Sequence, residues 1–119
     1  HRLNMTQANK ILLEQHGDVT LLDIRGDITI LSESSLNDAY ADANNQGAGK
    51  ILLKFERDIY INSGGISVLI QLLAKTEQNN QQIGIIGLSD HFTKIFNMVG
   101  ITKFAKLYTT REDALEAIS

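Results

Sequence analysis

The chain has 119 residues, of which 43% are hydrophobic and 21% are charged, with no cysteine and a formal net charge of -3 at pH 7. This size and composition are typical of one globular domain, and we assign residues 1–10 to a tail or cloning remnant and residues 11–119 to the domain. The negative charge argues against a nucleic-acid partner, and the lack of cysteine excludes disulfides and thiol nucleophiles. No apolar run approaches the roughly 20 residues of a membrane-spanning helix, so we expect a cytoplasmic protein without a membrane partner.

The first half of the domain predicts a hairpin, a helix and a buried strand. β-Prone residues at 11–13 and 19–24 flank a glycine-containing turn, which indicates an opening β-hairpin. From residue 32 to residue 45 the apolar side chains recur at helical spacing, and Ser32 is the expected N-cap of this helix. Lys50–Phe55 is short, apolar and bounded by turns, as expected of a strand near the centre of a sheet.

The second half predicts further alternation of helices and strands. Helices are expected at residues 65–78, at 92–99 before Gly100, and at 112–118, with a short buried strand at 83–87. Because strands and helices alternate along the chain, we expect an α/β layer structure in which at least part of the sheet is parallel.

Familiar catalytic and cofactor motifs are missing from the sequence. His1, His16 and His91 have no spacing that presents two imidazoles to one metal ion. The neighbours Ser89, Asp90 and His91 cannot form a hydrolytic relay, because adjacent residues of a helix point in different directions. Neither GxGxxG nor GxxxxGK[ST] is present. We therefore expect no metal and no cofactor.

One polar, glycine-rich segment lies between a predicted buried strand and a predicted helix, and it reads Tyr60-Ile61-Asn62-Ser63-Gly64-Gly65-Ile66. In one interpretation Asn62 or Ser63 caps the helix, and the glycines, Gly65 among them, permit a tight turn from the strand into the helix. In the other, the Ser63 hydroxyl is a phosphate acceptor, because free N–H groups and the helix dipole stabilise negative charge at a helix N-terminus. The residues alone leave both interpretations open.

The same segment carries a resemblance to a known family. Asn62-Ser63-Gly64-Gly65 stands at the strand-to-helix step where anti-sigma factor antagonists carry an Asp-Ser-Ser/Thr-Gly motif. The flanking sequences that agree are Gly26-Asp27-Ile28, Ser32, Ile51-Leu52-Leu53, residues 95–101, Phe104, Tyr108 and Glu112-Asp113-Ala114. From about Ile11 onward the chain resembles the STAS family, named for sulfate transporters and anti-sigma factor antagonists. The resemblance implies a single-domain STAS-like α/β fold, with a small mixed sheet and helices packed mainly on one side.

The resemblance also implies a function without enzymatic activity. Antagonists of this kind act in bacterial partner switching: the unphosphorylated protein binds an anti-sigma factor that is itself a serine kinase, phosphorylation releases it, and a serine phosphatase reverses the modification. The phosphorylated position corresponds to Ser63. The switch loop and partner-binding surface are then expected at Ile61, Asn62, Gly64, Gly65, Ile66, Asp27 and Thr29.

Three positions depart from the pattern of the antagonists. Asn62 replaces the usual aspartate, Gly64 replaces a second hydroxyl residue, and Thr29 stands where many relatives have another acid. The binding surface is therefore expected to be less negative than in those relatives. Two alternatives stay open: a STAS interaction or sensory module of an assembly that controls no sigma factor, and a small α/β enzyme or nucleotide-binding domain that uses the same loop as an anion site.

Overall fold

The computed structural model describes residues 8–119, which form one five-stranded sheet and four helices. The strands are β1 (Lys10–His16), β2 (Val19–Arg25), β3 (Lys50–Phe55), β4 (Gln82–Ile86) and β5 (Lys106–Tyr108). The helices are α1 (Glu33–Asn45), α2 (Ser63–Gln78), α3 (Asp90–Met98) and α4 (Arg111–Ile118), and single 3₁₀ turns lie at Ile30–Ser32 and Ile101–Lys103.

The sheet is mixed, and its strands follow one another in chain order. β1 and β2 form an antiparallel hairpin, whereas β2, β3, β4 and β5 are mutually parallel. Parallel neighbours need crossover connections, and α1, α2 and α3 provide them in turn. The carboxyl ends of β2, β3 and β4 therefore lie along the same edge of the sheet.

Helices cover the two faces of the sheet unequally. Side chains of Ile51, Leu53 and Phe55 in β3 pack in the main core with α1, α2 and α3, whereas Leu52 points to the opposite face. On that second face only α4 contributes buried side chains to the described core, through Ala114 and Ile118. This arrangement confirms the expected fold class, with helices mainly on one side.

Several expectations from the sequence are confirmed and others need correction. The hairpin and the central position of β3 are confirmed, but the domain begins earlier than residue 11: Lys10 starts β1, and Asn9 is buried. The rest of the proposed tail, residues 1–7, lies outside the described residues. β5 was missed because its three residues are too few to show an alternating pattern.

Within residues 8–119, no helix is long and apolar enough to cross a membrane. Over the same range, no three His, Asp or Glu side chains come together in a group that could hold a metal ion.

Candidate functional site

Two loops meet at the carboxyl edge of the sheet, one after β2 and one after β3. Ile28 and Ile61 form an isolated parallel bridge. The Ile28 N–H donates to the Tyr60 carbonyl at 2.9 Å, and the Asn62 N–H donates to the Ile28 carbonyl at 3.2 Å. The chain entering α2 is therefore held against the end of β2 by main-chain hydrogen bonds.

Carboxylate side chains add two further ties between these loops. Asp27 Oδ1 accepts from the Tyr60 N–H at 2.9 Å, and Glu56 Oε1 accepts from the Gly26 N–H at 2.8 Å. Asp27 was expected at the switch loop as a partner-binding residue. Its backbone contact at the junction gives it a structural role in addition to its exposed position.

Asn62 is the N-cap of α2. Its backbone is extended, with φ of -91°, and its Oδ1 accepts from the Gly65 N–H at 2.9 Å. Its carbonyl accepts from the Ile66 N–H at 2.9 Å. An asparagine replaces an aspartate in this role without loss of the hydrogen bond, because both side chains present an oxygen acceptor at the same position.

Ser63 is the first residue of α2, and its side chain is exposed. Because Asn62 does the capping, the Ser63 hydroxyl makes no hydrogen bond to any described residue. Of the two capping residues that the sequence offered, the structure therefore selects Asn62. One side chain closes the helix, and the next presents a free hydroxyl at the positive end of the helix dipole.

Glycine at position 65 is explained by a close approach of another part of the backbone. Its φ is not in the left-handed region, so the turn into α2 does not depend on a backbone conformation reserved for glycine. Gly65 is buried in the first turn of α2, and a Cβ at this position would come within 2.2 Å of the Ile28 carbonyl oxygen. A Cβ at Gly64 would meet Ile30 at the milder distances of 3.2 and 3.3 Å.

Thr29 and Ser32 form a capping box around the 3₁₀ turn Ile30–Ser32. Thr29 Oγ1 accepts from the Leu31 N–H at 3.1 Å, and Ser32 Oγ accepts from the Thr29 N–H at 3.0 Å. Ser32 also donates to the Asp27 carbonyl at 3.3 Å. Ser32 is the N-cap residue of α1, as expected, but its side chain makes no capping hydrogen bond to that helix, because its hydroxyl points back into the preceding loop.

The exposed apolar residues around Ser63 were not found from the sequence. Ile30, Leu31 and Tyr60 are 58%, 73% and 61% exposed. Ile30 lies beside Gly64, and Tyr60 precedes the cap on the same loop. We call the surface of Ser63, Ile30, Leu31 and Tyr60 the junction surface. The sequence did contain one sign of this surface: Ile30 and Leu31 are consecutive apolar residues in the short connection between β2 and α1.

Ile61 and Ile66, both expected at the partner surface, are less accessible than foreseen. The Ile61 side chain is 4% exposed and packs in the main core, so a docked partner could reach it only if the loop opened. Ile66 is half-buried against the same core. Their contribution at this site is to anchor the loop and the first turn of α2 beneath the junction surface.

A buried carboxylate stabilises the end of β2 next to this site. Asp23 accepts from Arg25 Nε at 3.1 Å and Nη2 at 3.0 Å, and Lys54 Nζ lies 3.6 Å away. The hydrogen bonds from Arg25 hold the pKa of Asp23 below its usual value, against the opposing effect of burial. The same pair raises the pKa of Arg25, which also lies 3.8 Å from Glu56.

Comparisons with known proteins agree with this architecture. An anti-sigma-B factor antagonist of Staphylococcus aureus is 22% identical over 78 residues, which is 66% of this chain and 72% of the relative. A solved anti-sigma factor antagonist of Mycobacterium paratuberculosis is 21% identical, covers 92% of this chain and 93% of its own, and superposes with a TM-score of 0.73. The phosphorylated form of the Bacillus cell fate determinant SpoIIAA is 16% identical over 92% of this chain and 100% of its own, with a TM-score of 0.64.

The family profile gives the assignment. The profile described as "Mlab, STAS domain" matches residues 11–109, which is most of the chain and includes both loops of the site. The chain therefore belongs to the STAS domain family.

Proposed function

We propose that this protein is an anti-sigma factor antagonist in a partner-switching pathway. In its unphosphorylated form it binds an anti-sigma factor with serine kinase activity, and phosphorylation of Ser63 releases it. The observation that carries the proposal is the uncommitted, exposed hydroxyl of Ser63 next to the capping side chain of Asn62. The names of the relatives supply the class of partner.

The position of Ser63 is favourable for a phosphate. The first N–H groups of a helix have no partner inside the helix, and the dipole favours negative charge there. α2 extends over 16 residues, and Gly64 adds no side chain beside the acceptor. Phosphorylation can therefore occur with little change in the folded domain, because the cap on Asn62 does not involve the modified oxygen.

The junction surface explains why the phosphate would release a partner. Ile30, Leu31 and Tyr60 offer apolar area to a docked protein. A phosphate adds about -1.5 to -2 units of charge. Docking would remove water from that charge, and apolar side chains supply no hydrogen bond or opposite charge to compensate. Affinity for the anti-sigma factor should therefore fall.

The proposed protein is a substrate and a binding partner, not an enzyme. STAS antagonists are generally non-enzymatic, and no described His or Lys side chain hydrogen-bonds to Ser63 to activate it. A serine phosphatase would restore the unphosphorylated form. The proposal includes no cofactor, nucleic acid or membrane, and it places the protein in the bacterial cytoplasm.

The test uses the purified chain and its cognate kinase-like anti-sigma factor. Ser63→Ala should bind as wild type does and take up no phosphate from ATP. Ser63→Asp should stay folded by circular dichroism, while calorimetric titration gives binding weaker by about 1 to 3 kcal/mol. Ser67→Asp is the matched control, because Ser67 is also exposed on α2 but lies one turn further from the helix start.

A second candidate is a STAS interaction module in an assembly that controls no sigma factor. Asn62 and Thr29 favour it, because both replace acids that antagonists usually carry at this surface. If Ser63→Asp binds the anti-sigma factor as tightly as wild type, and mass spectrometry maps no phosphate to Ser63 after incubation with the kinase and ATP, this second function replaces the first.

A further inference from the structure

Strand β1 forms one edge of the sheet, and among the described residues no strand pairs with its outer side. It is seven residues long, contains no proline, and pairs with β2 without a bulge. Leu12 is 50% exposed on one face, and Ile11 and Leu13 are half-buried on the other. A proline or a bulge often protects an edge strand from pairing with another chain. β1 therefore offers a regular, partly apolar edge to a further strand.

The pairing with β2 determines which main-chain groups of β1 are free. Neighbouring antiparallel strands alternate between residue pairs that exchange hydrogen bonds and pairs that do not. His16 and Val19 flank the two-residue turn of the hairpin, which makes them a hydrogen-bonded pair. By this alternation, the N–H and C=O groups of Ile11, Leu13 and Gln15 point away from β2. A further strand would bond to β1 through these groups.

A second copy of β1 fits this edge better in one antiparallel register than in the next. With Leu12 opposite Leu12 of the second copy, Ile11 lies opposite Leu13 and exchanges main-chain hydrogen bonds with it. Lys10 then lies opposite Glu14 of the second copy, and two-fold symmetry repeats this pair of opposite charges. With Leu13 on the axis instead, the apolar Leu12 would face Glu14, and both charge pairs would be lost. The charges of β1 are therefore self-complementary in the first register.

Both members of this charge pair are available for it. Lys10 is exposed and has no ion pair with any described residue. Glu14 is 34% exposed, and Arg111 Nη1 and His16 Nε2 both lie 3.1 Å from its Oε1. These contacts leave Oε2 of Glu14 for the ammonium group of Lys10 from the second copy.

We propose that two copies of this chain associate through β1 into an antiparallel dimer, so that one sheet runs through both copies. The contact is limited to one strand from each copy. Asp38 and Asp42 of α1 line the cavity beside β1, so they bring like charges towards the two-fold axis and oppose association. Small interfaces are weak, and we expect a dissociation constant on the order of 100 µM. The dimer does not depend on the function proposed for Ser63.

Sedimentation velocity of the full 119-residue chain tests the association. Wild type should convert from monomer to dimer between about 10 µM and about 1 mM. Leu12→Lys places like charges opposite each other on the axis and should weaken association at least about tenfold. Lys10→Glu turns both charge pairs into repulsions and should weaken it about tenfold. Met98→Lys is the control, because Met98 is 83% exposed on α3, and it should leave association unchanged. Circular dichroism checks that each variant is folded.

Disulfide formation tests the register, because the chain has no cysteine of its own. In the proposed register the Cα atoms of the two Leu12 residues are about 4.5 Å apart, which a disulfide can bridge. Leu12→Cys should therefore form a covalent dimer on mild oxidation, whereas Leu13→Cys and Met98→Cys should not. The proposal is overturned if wild type stays monomeric at about 1 mM, if Met98→Lys weakens association as much as Leu12→Lys, or if either control cysteine crosslinks as fast as Leu12→Cys.

Discussion

The domain has two neighbouring junctions at which a parallel strand leads into a helix, and they use the same residue types differently. Between β4 and α3, the hydroxyl of Ser89 is itself the cap and accepts from the Phe92 N–H at 3.2 Å. Between β3 and α2, Asn62 is the cap, and the serine comes one residue later with its hydroxyl free. The Ser63 hydroxyl is thus uncommitted because another side chain caps the helix, whereas the Ser89 hydroxyl is itself the cap.

The two junctions also differ in the bridge and side-chain contacts around them. The junction before α2 is tied to the loop after β2 by the Ile28–Ile61 bridge and by Glu56. The junction before α3 has an exposed ion pair, Arg57 with Asp90 at 4.0 Å, and such pairs contribute little to stability. If Ser63 is phosphorylated as proposed, these ties would let the helix start change its charge with little change of shape.

The largest effect is expected for Gly65→Val, which should destabilise the junction before α2. The new Cβ would lie 2.2 Å from the Ile28 carbonyl oxygen, and either the helix or the bridged loop must move. We expect a loss of at least about 3 kcal/mol in the free energy of unfolding, measured with urea. Gly64→Ala is the control and should cost clearly less, because its nearest contacts are 3.2 and 3.3 Å. Equal stability of Gly65→Val and wild type would contradict the close approach.

Acid should destabilise the domain through Asp23, near the carboxyl end of β2. Its pKa is lowered on folding by the hydrogen bonds from Arg25, so its contribution to stability is present above the unfolded value of 3.8 and is lost as the pH falls through the lower folded pKa. Asp23→Asn should cost about 1 to 2 kcal/mol at pH 7, as for a hydrogen bond to a charged group. Thermal unfolding from pH 7 down to pH 3 should show this difference shrinking below about pH 4.

Asp18→Asn is the matched control for the acid experiment. Asp18 is paired with Lys50 at 2.8 Å, and that hydrogen bond lowers its pKa as well, but its side chain is 66% exposed and lies at the hairpin turn. Solvent screening leaves such a pair little stabilising effect. If Asp18→Asn shows the same loss and the same pH dependence as Asp23→Asn, the stabilisation is not specific to the end of β2.

Local sequence signals predicted the elements that flank the site. The hairpin followed from β-prone residues around a glycine turn, and the start of α2 followed from a polar pair before an apolar helix face. Such features are encoded within a few residues of the chain. The local sequence therefore places the motif at Ser63 correctly, at a strand-to-helix step.

Contacts between distant parts of the chain could not be predicted in this way. Asp27 and Tyr60 are 33 residues apart in sequence, and only the parallel pairing of β2 and β3 brings their loops together. The reason for Gly65 lies in this approach to Ile28, which the residues next to Gly65 in sequence do not reveal. The junction surface depends on the same approach, so its apolar residues were also missed.

Removing the cap tests the division of roles at the start of α2. Asn62→Ala deletes the oxygen that accepts from Gly65, so the free energy of unfolding should fall by about 1 kcal/mol, as for other N-cap deletions. Asn62→Asp keeps the acceptor and adds negative charge near the helix N-terminus, so it should equal wild type or exceed it by about 0.3 to 1 kcal/mol at low salt. Urea unfolding measures both, and an unchanged Asn62→Ala variant would show that the cap is dispensable.

The smallest effect on the free energy of unfolding is expected for Ser63→Ala, at the residue that the motif marks as the phosphate acceptor. Ser63→Ala removes a hydroxyl that bonds to no described residue, so the free energy of unfolding should change by less than about 0.5 kcal/mol, and alanine's higher helix propensity favours a slight gain. Ser89→Ala is the same substitution at the other junction, where the hydroxyl is the cap, and it should cost about 1 kcal/mol. Parallel urea titrations of the two variants compare the junctions directly. Equal losses would mean that the Ser63 hydroxyl also helps to hold the helix start, and a phosphate there would then disturb the fold as well as the surface.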